Sequence, residues 1–392
     1  MSQIYFDHSA TTPLDPRVLD AMRPYYEAHF GNPSSLHWAG QKAKQAIVEG
    51  RRQVANLLHA SLDEIIFTAS GTEADNMALM GVALQYQPQD CHIITTAFEH
   101  PAILETCKYL ERLGYSISYL PISSDGIVIV DALRQLLQPN TRLVSVMAAN
   151  NVVGTLQPIQ ELAQITKQHG ALFHTDAVQA AGKIPLYADA IPYDLLSMSA
   201  HKLHGPKGIG ALYVRRGVSL VPLMHGGGQE HGLRSATENV AGIVGFGVAA
   251  AIASAEMSAE ASRLVGLRDR IVAEVKERIP DAYLIGHPFK RLPGHICLGF
   301  DGQEGEAMHL MLALNEEGIA ISTGSACSSH NAGQPSYILM SMGMDPIRAR
   351  GSLRITLGRF NTDLEADTFL QVLPRLTEKL RHITSRSFAP VA

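Results

Sequence analysis

Leu195-Leu196-Ser197-Met198-Ser199-Ala200-His201-Lys202-Leu203-His204-Gly205-Pro206-Lys207-Gly208-Ile209-Gly210-Ala211-Leu212-Tyr213-Val214 reads as two short strands, with two lysines and two histidines in the turn between them. A nearly continuous apolar run belongs to a strand covered on both faces, as in a largely parallel sheet flanked by helices. A lysine at the end of such a strand is poorly placed for a solvated surface charge. Partly desolvated and near a cationic neighbour, it loses proton affinity and becomes an amine nucleophile and base. Lys202 and Lys207 both have the right type. Gly205-Pro206 predicts a turn that points Lys207 outward, which favours Lys202.

Outward from this segment the same texture repeats between about residues 60 and 215. Strand-like runs occur at 64–68, 92–96, 143–147 and 171–175, with amphipathic helices at 40–58 and 157–169. Alternation of that kind specifies an α/β fold with a mainly parallel sheet. Val240 to Ala253, rich in glycine and alanine, reads as a buried helix. A charge-rich helix at 255–279 links it to a smaller α+β unit, with strands at 295–300, 318–322 and 352–357 and helices at 305–316 and 362–382. The expected division is a large domain, 16–255, and a small one made of 1–15 and 256–392.

Composition narrows the function classes. The chain has 392 residues, 46% hydrophobic and 18% charged, which is a folded globular profile. A net charge of −5, with the signs interspersed, gives no reason to expect nucleic acid or an anionic membrane as partner. No basic and apolar leader opens the sequence, and no uninterrupted apolar stretch reaches the roughly 18 residues of a membrane span. Cys91, Cys107, Cys297 and Cys327 show no CxxC spacing, so neither a disulfide framework nor a structural metal site is expected. Free thiols suit a reducing compartment, with the cytoplasm as the expectation.

Ligands of open parallel sheets bind at the carboxyl ends of the strands, and polar residues of useful type stand there. Ser70-Gly71-Thr72-Glu73-Ala74-Asp75-Asn76 opens a helix whose free N–H groups suit a phosphate, although a plain helix cap has the same composition. His100 follows the second strand, Asn150-Asn151 the third, and Asp176 with Gln179 the fourth. Taken singly, each has an ordinary structural reading. An aspartate facing a pyridine nitrogen would keep that nitrogen protonated and make the ring an electron sink.

The ordered set Tyr5-Phe6-Asp7-His8-Ser9-Ala10-Thr11-Thr12-Pro13, Gly31-Asn32-Pro33-Ser34-Ser35, Thr72-Glu73, Glu99-His100, Asn151, Asp176-Ala177-Val178-Gln179, Ser199-Ala200-His201-Lys202 and Arg234-Ser235-Ala236-Thr237 resembles the class V aminotransferases. Within them it looks like the cysteine desulfurases of NifS and IscS type, over about residues 4 to 361. The resemblance implies the type I fold of pyridoxal 5'-phosphate (PLP) transferases. It implies Lys202 as the Schiff-base lysine, His100 as the ring stacked on the pyridine, and Asp176 as the partner of its nitrogen. Asn151 and Gln179 match contacts on the phenolic-oxygen side, and Gly71, Thr72, Ser199 and His201 the phosphate cradle. Thr237 matches a phosphate ligand reaching in from the other subunit of a homodimer. Arg354 matches the clamp on the substrate carboxylate, a role that suits a bidentate guanidinium, with Asn151 also on the substrate side. The chain departs from the common pattern at Val152, where a glutamate is frequent, at Ala236 before Thr237, and at His8-Ser9, where Asn-Ala is frequent.

Ser322-Thr323-Gly324-Ser325-Ala326-Cys327-Ser328-Ser329-His330-Asn331-Ala332-Gly333-Gln334-Pro335 has no hydrophobic period and reads as a mobile surface loop. A cysteine there gains nothing from packing, which points to a reactive thiolate. The segment resembles the long cysteine loop of the first group of desulfurases. The expected reaction converts L-cysteine to alanine and leaves a persulfide on Cys327, with Lys202 moving the Cα proton and His100 helping near the sulfur. The sulfur would pass to an acceptor protein, an iron–sulfur scaffold or a sulfur carrier. An aminotransferase or a selenocysteine lyase of the same fold, and a non-catalytic assembly scaffold, are the competing readings. A nicotinamide dehydrogenase fails, because no GxGxxG follows the first strand.

Overall fold

The computed structural model describes residues 3–302, 307–324 and 334–387. Its main sheet contains β2 (Ile65–Thr68), β3 (His92–Thr96), β4 (Ser116–Leu120), β5 (Thr141–Ser145), β6 (Leu172–Asp176), β7 (Leu195–Ser199) and β8 (Gly210–Val214). They lie in the order β2-β8-β7-β6-β5-β3-β4. All pairs from β7 to β4 are parallel, whereas β8 runs antiparallel to both its neighbours. The two-residue side-chain period sorts apolar groups to opposite faces. Ile65 and Phe67 enter one core and Ile66 the other; Leu196 and Met198 enter the first and Leu195 the second.

Helices α3 (Gly71–Ala83) and α4 (Pro101–Arg112) supply the second core. The first is built with α1 (Pro16–Glu27), α2 (Trp38–Leu57), α5 (Val130–Leu136), α6 (Ile159–His169) and the N-terminal half of α7 (Val240–Arg278). The two helical readings at 240–253 and 255–279 are one unbroken helix, which runs through residues 255 and 256, where the sequence reading sets its domain boundary. Its glycines have a packing cause. A Cβ on Gly247 would lie 2.6 Å from Gly50 Cα, and one on Gly50 would lie 2.8 Å from the Ile243 carbonyl oxygen, so α2 and α7 cross backbone to backbone.

The C-terminal part forms a four-stranded sheet, β12-β13-β10-β9, from β9 (Ala282–Leu284), β10 (His295–Phe300), β12 (Ser322–Thr323) and β13 (Ser352–Thr356). Helices α8 (Ala307–Glu316) and α10 (Asp363–Ser387), with the end of α7, enclose a third core around Phe369, Leu353 and Ile355. The short α9 (Tyr337–Ser341) packs elsewhere, its Ile338 and Leu339 joining the first core. Residues 4–15 bridge the two regions. β1 (Ile4–Tyr5) pairs in parallel with β11 (Ile319–Ala320), and Asp7 bridges to Thr356. Beyond Asp7 the chain crosses to the Lys202 turn, where Thr12 donates through both its amide and its hydroxyl to the His201 carbonyl, at 3.0 and 2.9 Å.

Candidate active site

Strand β6 ends on Asp176 and β7 on Ser199, and a one-turn 3₁₀ segment, Ala200–Lys202, carries the lysine off the sheet. The turn that follows places His204 at φ 62°, an uncommon conformation for a side-chain-bearing residue. It is held there by the N-terminal strap. The His204 amide donates to Thr12 Oγ1 at 2.8 Å, and its Nδ1 donates to the Pro13 carbonyl at 2.9 Å. Lys202 Nζ donates to the carbonyls of Ser9 and Ala10, the latter at 2.7 Å.

A cavity of about 420 Å³ opens between these strand ends and the first turn of α3. Gly71, Thr72, His100, Asn151, Asp176, Gln179, Ser199, His201 and Lys202 all line it. Ser70 caps α3 by accepting from the Glu73 amide at 3.1 Å, which leaves earlier first-turn amides for a ligand. A Cβ on Gly71 would fall 2.6 Å from Val178 Cγ2, so no larger residue keeps this wall in place. His100 caps α4, its Nδ1 accepting from the Ala102 amide at 3.1 Å. Gln179 Nε2 donates to the Ser9 carbonyl at 2.9 Å, tying this wall of the cavity to the strap.

Other residues fall differently. Thr237 is exposed and lines a separate cleft with Thr68, Gly208 and Arg234, outside this cavity within the chain. Arg354, on β13, is buried behind Asn151, donating to its carbonyl at 3.2 Å and to Asp7 Oδ1 at 2.8 Å. Cys327 lies outside the described residues. Lys207 is exposed, as its turn predicts, but it also stands on the cavity lining, so the turn does not send it away from the site. Ala10, Thr11, Asp75, Met147 and Val178 also line the cavity, residues quoted in the motifs and strand runs of the sequence without an assigned role. Only Asp75 carried a signal, standing one helical turn after Gly71 on the same face of α3.

Electrostatics follow burial. Asp176 accepts from the Val178 amide at 2.9 Å, and burial raises its proton affinity while His100 opposes the rise. A cation beside it would hold it ionised. Asp75 is raised well above the carboxylate range, by burial and then by Asp176. Burial, with Lys202 nearby, pulls His201 down to about 4, and His100 is lowered by burial, so both imidazoles are neutral at pH 7. The described thiols are poor nucleophiles. Burial pushes Cys91 up to about 11 and Cys107 and Cys297 up to about 12.

The residues fit pyridoxal phosphate. A helix N-terminus with a glycine wall and neighbouring Ser199, Thr72 and His201 suits its phosphate, Asp176 suits a protonated pyridine nitrogen, and Lys202 suits its aldehyde carbon. Among the described residues no group of three or more histidines, cysteines or acids is placed to hold a metal ion.

A model of the aminotransferase class-V family matches residues 4–369. A protein named cysteine desulfurase IscS, from Dictyoglomus turgidum (strain DSM 6724 / Z-1310), is 48% identical over 382 residues, which cover 97% of this chain and 96% of that protein. Among solved structures, a NifS-like protein superposes with a TM-score of 0.90 at 40% identity, over 96% of this chain and 100% of its own. The structure of SspA in complex with cysteine superposes with a TM-score of 0.80 at 33% identity, over 92% of this chain and 100% of its own.

Proposed function

The chain belongs to the class-V aminotransferase family and is a cysteine desulfurase, and from that premise we propose that Lys202, His100 and Cys327 carry its chemistry in the cavity at the ends of β6 and β7. The observation that carries this reading is the convergence of Lys202, Asp176, His100 and the α3 N-terminus on one cavity. Pyridoxal phosphate held there supplies a ring that accepts the electron pair left when a proton leaves the Cα of L-cysteine. Asp176 supports that role by holding a proton on the ring nitrogen. Gly71, Thr72, Ser199 and His201 hold the phosphate, and Gln179 and Asn151 orient the ring.

Lys202 Nζ takes the Cα proton of L-cysteine, which requires its neutral form. Arg354 binds the substrate carboxylate, in exchange for part of its pairing with Asp7. The Cys327 thiolate attacks the substrate sulfur. An S–S bond forms as the substrate C–S bond breaks and its electron pair stays on Cβ; a proton added at Cβ, and the return to Cα of the proton that Lys202 took, complete alanine. His100 is the proposed acid–base helper near the sulfur; its Nδ1 accepts from the Ala102 amide, so the ring hydrogen of the neutral form is on Nε2. Gly324 has its amide on the Ser352 carbonyl at 3.1 Å and its carbonyl accepting from Ser336 Oγ at 2.8 Å. Next to Ser336, the Tyr337 hydroxyl donates to the Glu99 carbonyl at 2.7 Å, one residue from His100. Through Ser336 and Tyr337, the described residues on either side of the cysteine segment are linked to the Glu99 backbone, which supports this reading.

Delivery to an iron–sulfur scaffold or sulfur carrier, a homodimer in which Thr237 reaches the partner's phosphate, and a cytoplasmic setting belong to the same proposal and rest on the family resemblance. The test is incubation with L-cysteine, measuring alanine and the persulfide mass on the peptide containing residue 327. Lys202→Ala is expected to lose both signals, and Cys327→Ala to lose the persulfide and most of the alanine. Undiminished alanine from Cys327→Ala would refute the assignment of the sulfur step.

A further inference from the structure

The face of the main sheet beneath α3 carries a buried row of polar side chains next to Asp176. His174 and Asp176 lie two residues apart on β6 and so share a face, and their register partners Ser145 and Ser197 stand on it with them. Leu195, opposite His174, packs into the core under α3 and α4, which identifies the face. The His174 ring is held at both nitrogens, 2.8 Å from Ser145 Oγ and 3.0 Å from Ser197 Oγ. Asp75 of α3 meets this row, its Oδ1 3.7 Å from His174 Nε2, and it also lines the cofactor cavity. Ser197 and Asp176 are one strand spacing apart, roughly 5 Å. Two carboxyl groups therefore converge on one buried patch.

The surroundings of the two acids differ. Asp75 is 1% exposed, and among the described residues nothing hydrogen-bonds its Oδ1. An ionised carboxylate has about four acceptor sites, and a buried one needs donors or a cation to fill them. The Ser197 hydroxyl is the side-chain donor beside Asp75. His174 is fully buried, which pulls it down to about 3 and leaves the ring uncharged. Toward α4, Glu99 is another buried acid, occupied by Thr96 Oγ1 and the Met147 amide, and His100 is neutral. On α3 itself, Glu73 is engaged by Arg234 at 2.8 Å. Asp176 is better provided for. It accepts from the Val178 amide at 2.9 Å, and both His100 and Lys202 on the cavity wall favour its ionised form.

We propose that Asp75 is a positioning residue that works as an uncharged acid: it holds the one proton of a buried carboxyl pair, so that Asp176 stays ionised for the ring nitrogen of the cofactor. Two anions in one poorly hydrated patch repel, so a single proton is retained between them. It settles on the carboxyl with the fewer donors and no cation, which is Asp75. The rise in its proton affinity, caused by burial and then by Asp176, has the same direction. The inference rests on reading Asp176 as the partner of the ring nitrogen.

The test is infrared spectroscopy of the cofactor-free protein across pH, with aspartate labelled by carbon-13 at its side-chain carboxyl. The isotope shift separates aspartic acids from Glu99. The wild type is expected to show the carbonyl band of a protonated aspartic acid at pH 7.5, and Asp75→Asn to lack it. Asp176→Asn removes the neighbouring charge and is expected to lower the pH at which the band disappears by about one unit, a tenfold fall in proton affinity. Thermal melts of both variants report folding. Absence of the band from the wild type at pH 7.5, which needs no variant, overturns the proposal. So does a band that survives Asp75→Asn, or a midpoint that Asp176→Asn leaves in place. In parallel, pyridoxal phosphate is titrated by absorbance, and Asp176→Asn should lose affinity tenfold or more. Unchanged affinity in Asp176→Asn overturns the reading of the site and this inference with it, whereas the expected loss with the wrong infrared result overturns the inference alone.

Discussion

Gly71→Ala separates what the first turn of α3 does for folding from what it does for the cofactor. The added Cβ would stand 2.6 Å from Val178 Cγ2 and 3.5 Å from Ser199 Cβ. Val178 is β-branched, with little rotamer freedom, and its amide holds Asp176 Oδ1 at 2.9 Å, so relief moves backbone that orients the aspartate. Two effects compete in stability. Alanine in place of glycine inside a helix gains up to about 1 kcal/mol, and overpacking costs about 1–3 kcal/mol. The net loss expected is about 0–2 kcal/mol, a fall of a few degrees in Tm for a chain of this size. Cofactor affinity should fall further, about 10–100-fold or about 1.4–2.8 kcal/mol, because the wall shifts at both the phosphate and the nitrogen partner. The assay is titration of pyridoxal phosphate into cofactor-free protein by absorbance, beside urea unfolding of the same sample. An affinity within twofold of wild type would refute the cradle reasoning, whatever happens to stability.

Glu99 is buried, accepting from Thr96 Oγ1 at 2.8 Å and the Met147 amide at 3.0 Å, and burial pushes it from its ordinary 4.5 up to about 8. The folded protein keeps a proton there that the unfolded chain has released, so this stability is full below about 4.5 and lost as pH rises through about 8. Glu99→Gln should flatten the fall in urea midpoint between pH 5 and 8; equal slopes in the two proteins would show that Glu99 ionises freely. Arg354→Lys cannot serve both Asp7 and the Asn151 carbonyl, and it should raise KM for L-cysteine tenfold or more with a smaller change in kcat. Steady-state kinetics check this, and an unchanged KM counts against the clamp. Gly247→Ala drives a Cβ to 2.6 Å from backbone at Gly50, which has no side chain to yield, so it should cost about 2 kcal/mol or more in urea unfolding.

Legibility followed burial. The covered strands β2, β3, β7 and β8 were readable within a residue or two because their apolar runs have one physical cause. The readings at 143–147 and 171–175 were late by two residues and early by one, since apolar Val146 and Met147 leave the sheet while polar Asp176 ends it. Edge strand β4 escaped notice because Ser116 and Tyr119 face solvent and leave no apolar run. β9 escaped too, being three residues long. Lys202, Asp176 and Gln179 were legible as polar residues ending apolar strands. Asp75 was legible only by its place one turn after Gly71 on α3, because its significance is a matter of which cavity it faces, and a lone charge in a helix does not encode that. The antiparallel placement of β8 was also invisible, since a short turn and a crossover leave similar strand compositions.

The strap has a consequence in time. The Ser9 amide donates to Thr356 Oγ1 across 347 residues of sequence, at 2.9 Å. A ribosome adding about 5–20 residues per second needs roughly 20–70 s to make that much polypeptide. For that interval the strap that presents the Ser9 and Ala10 carbonyls lacks its anchor on β13. The strap is therefore completed late, when the far end of the protein folds back over its beginning.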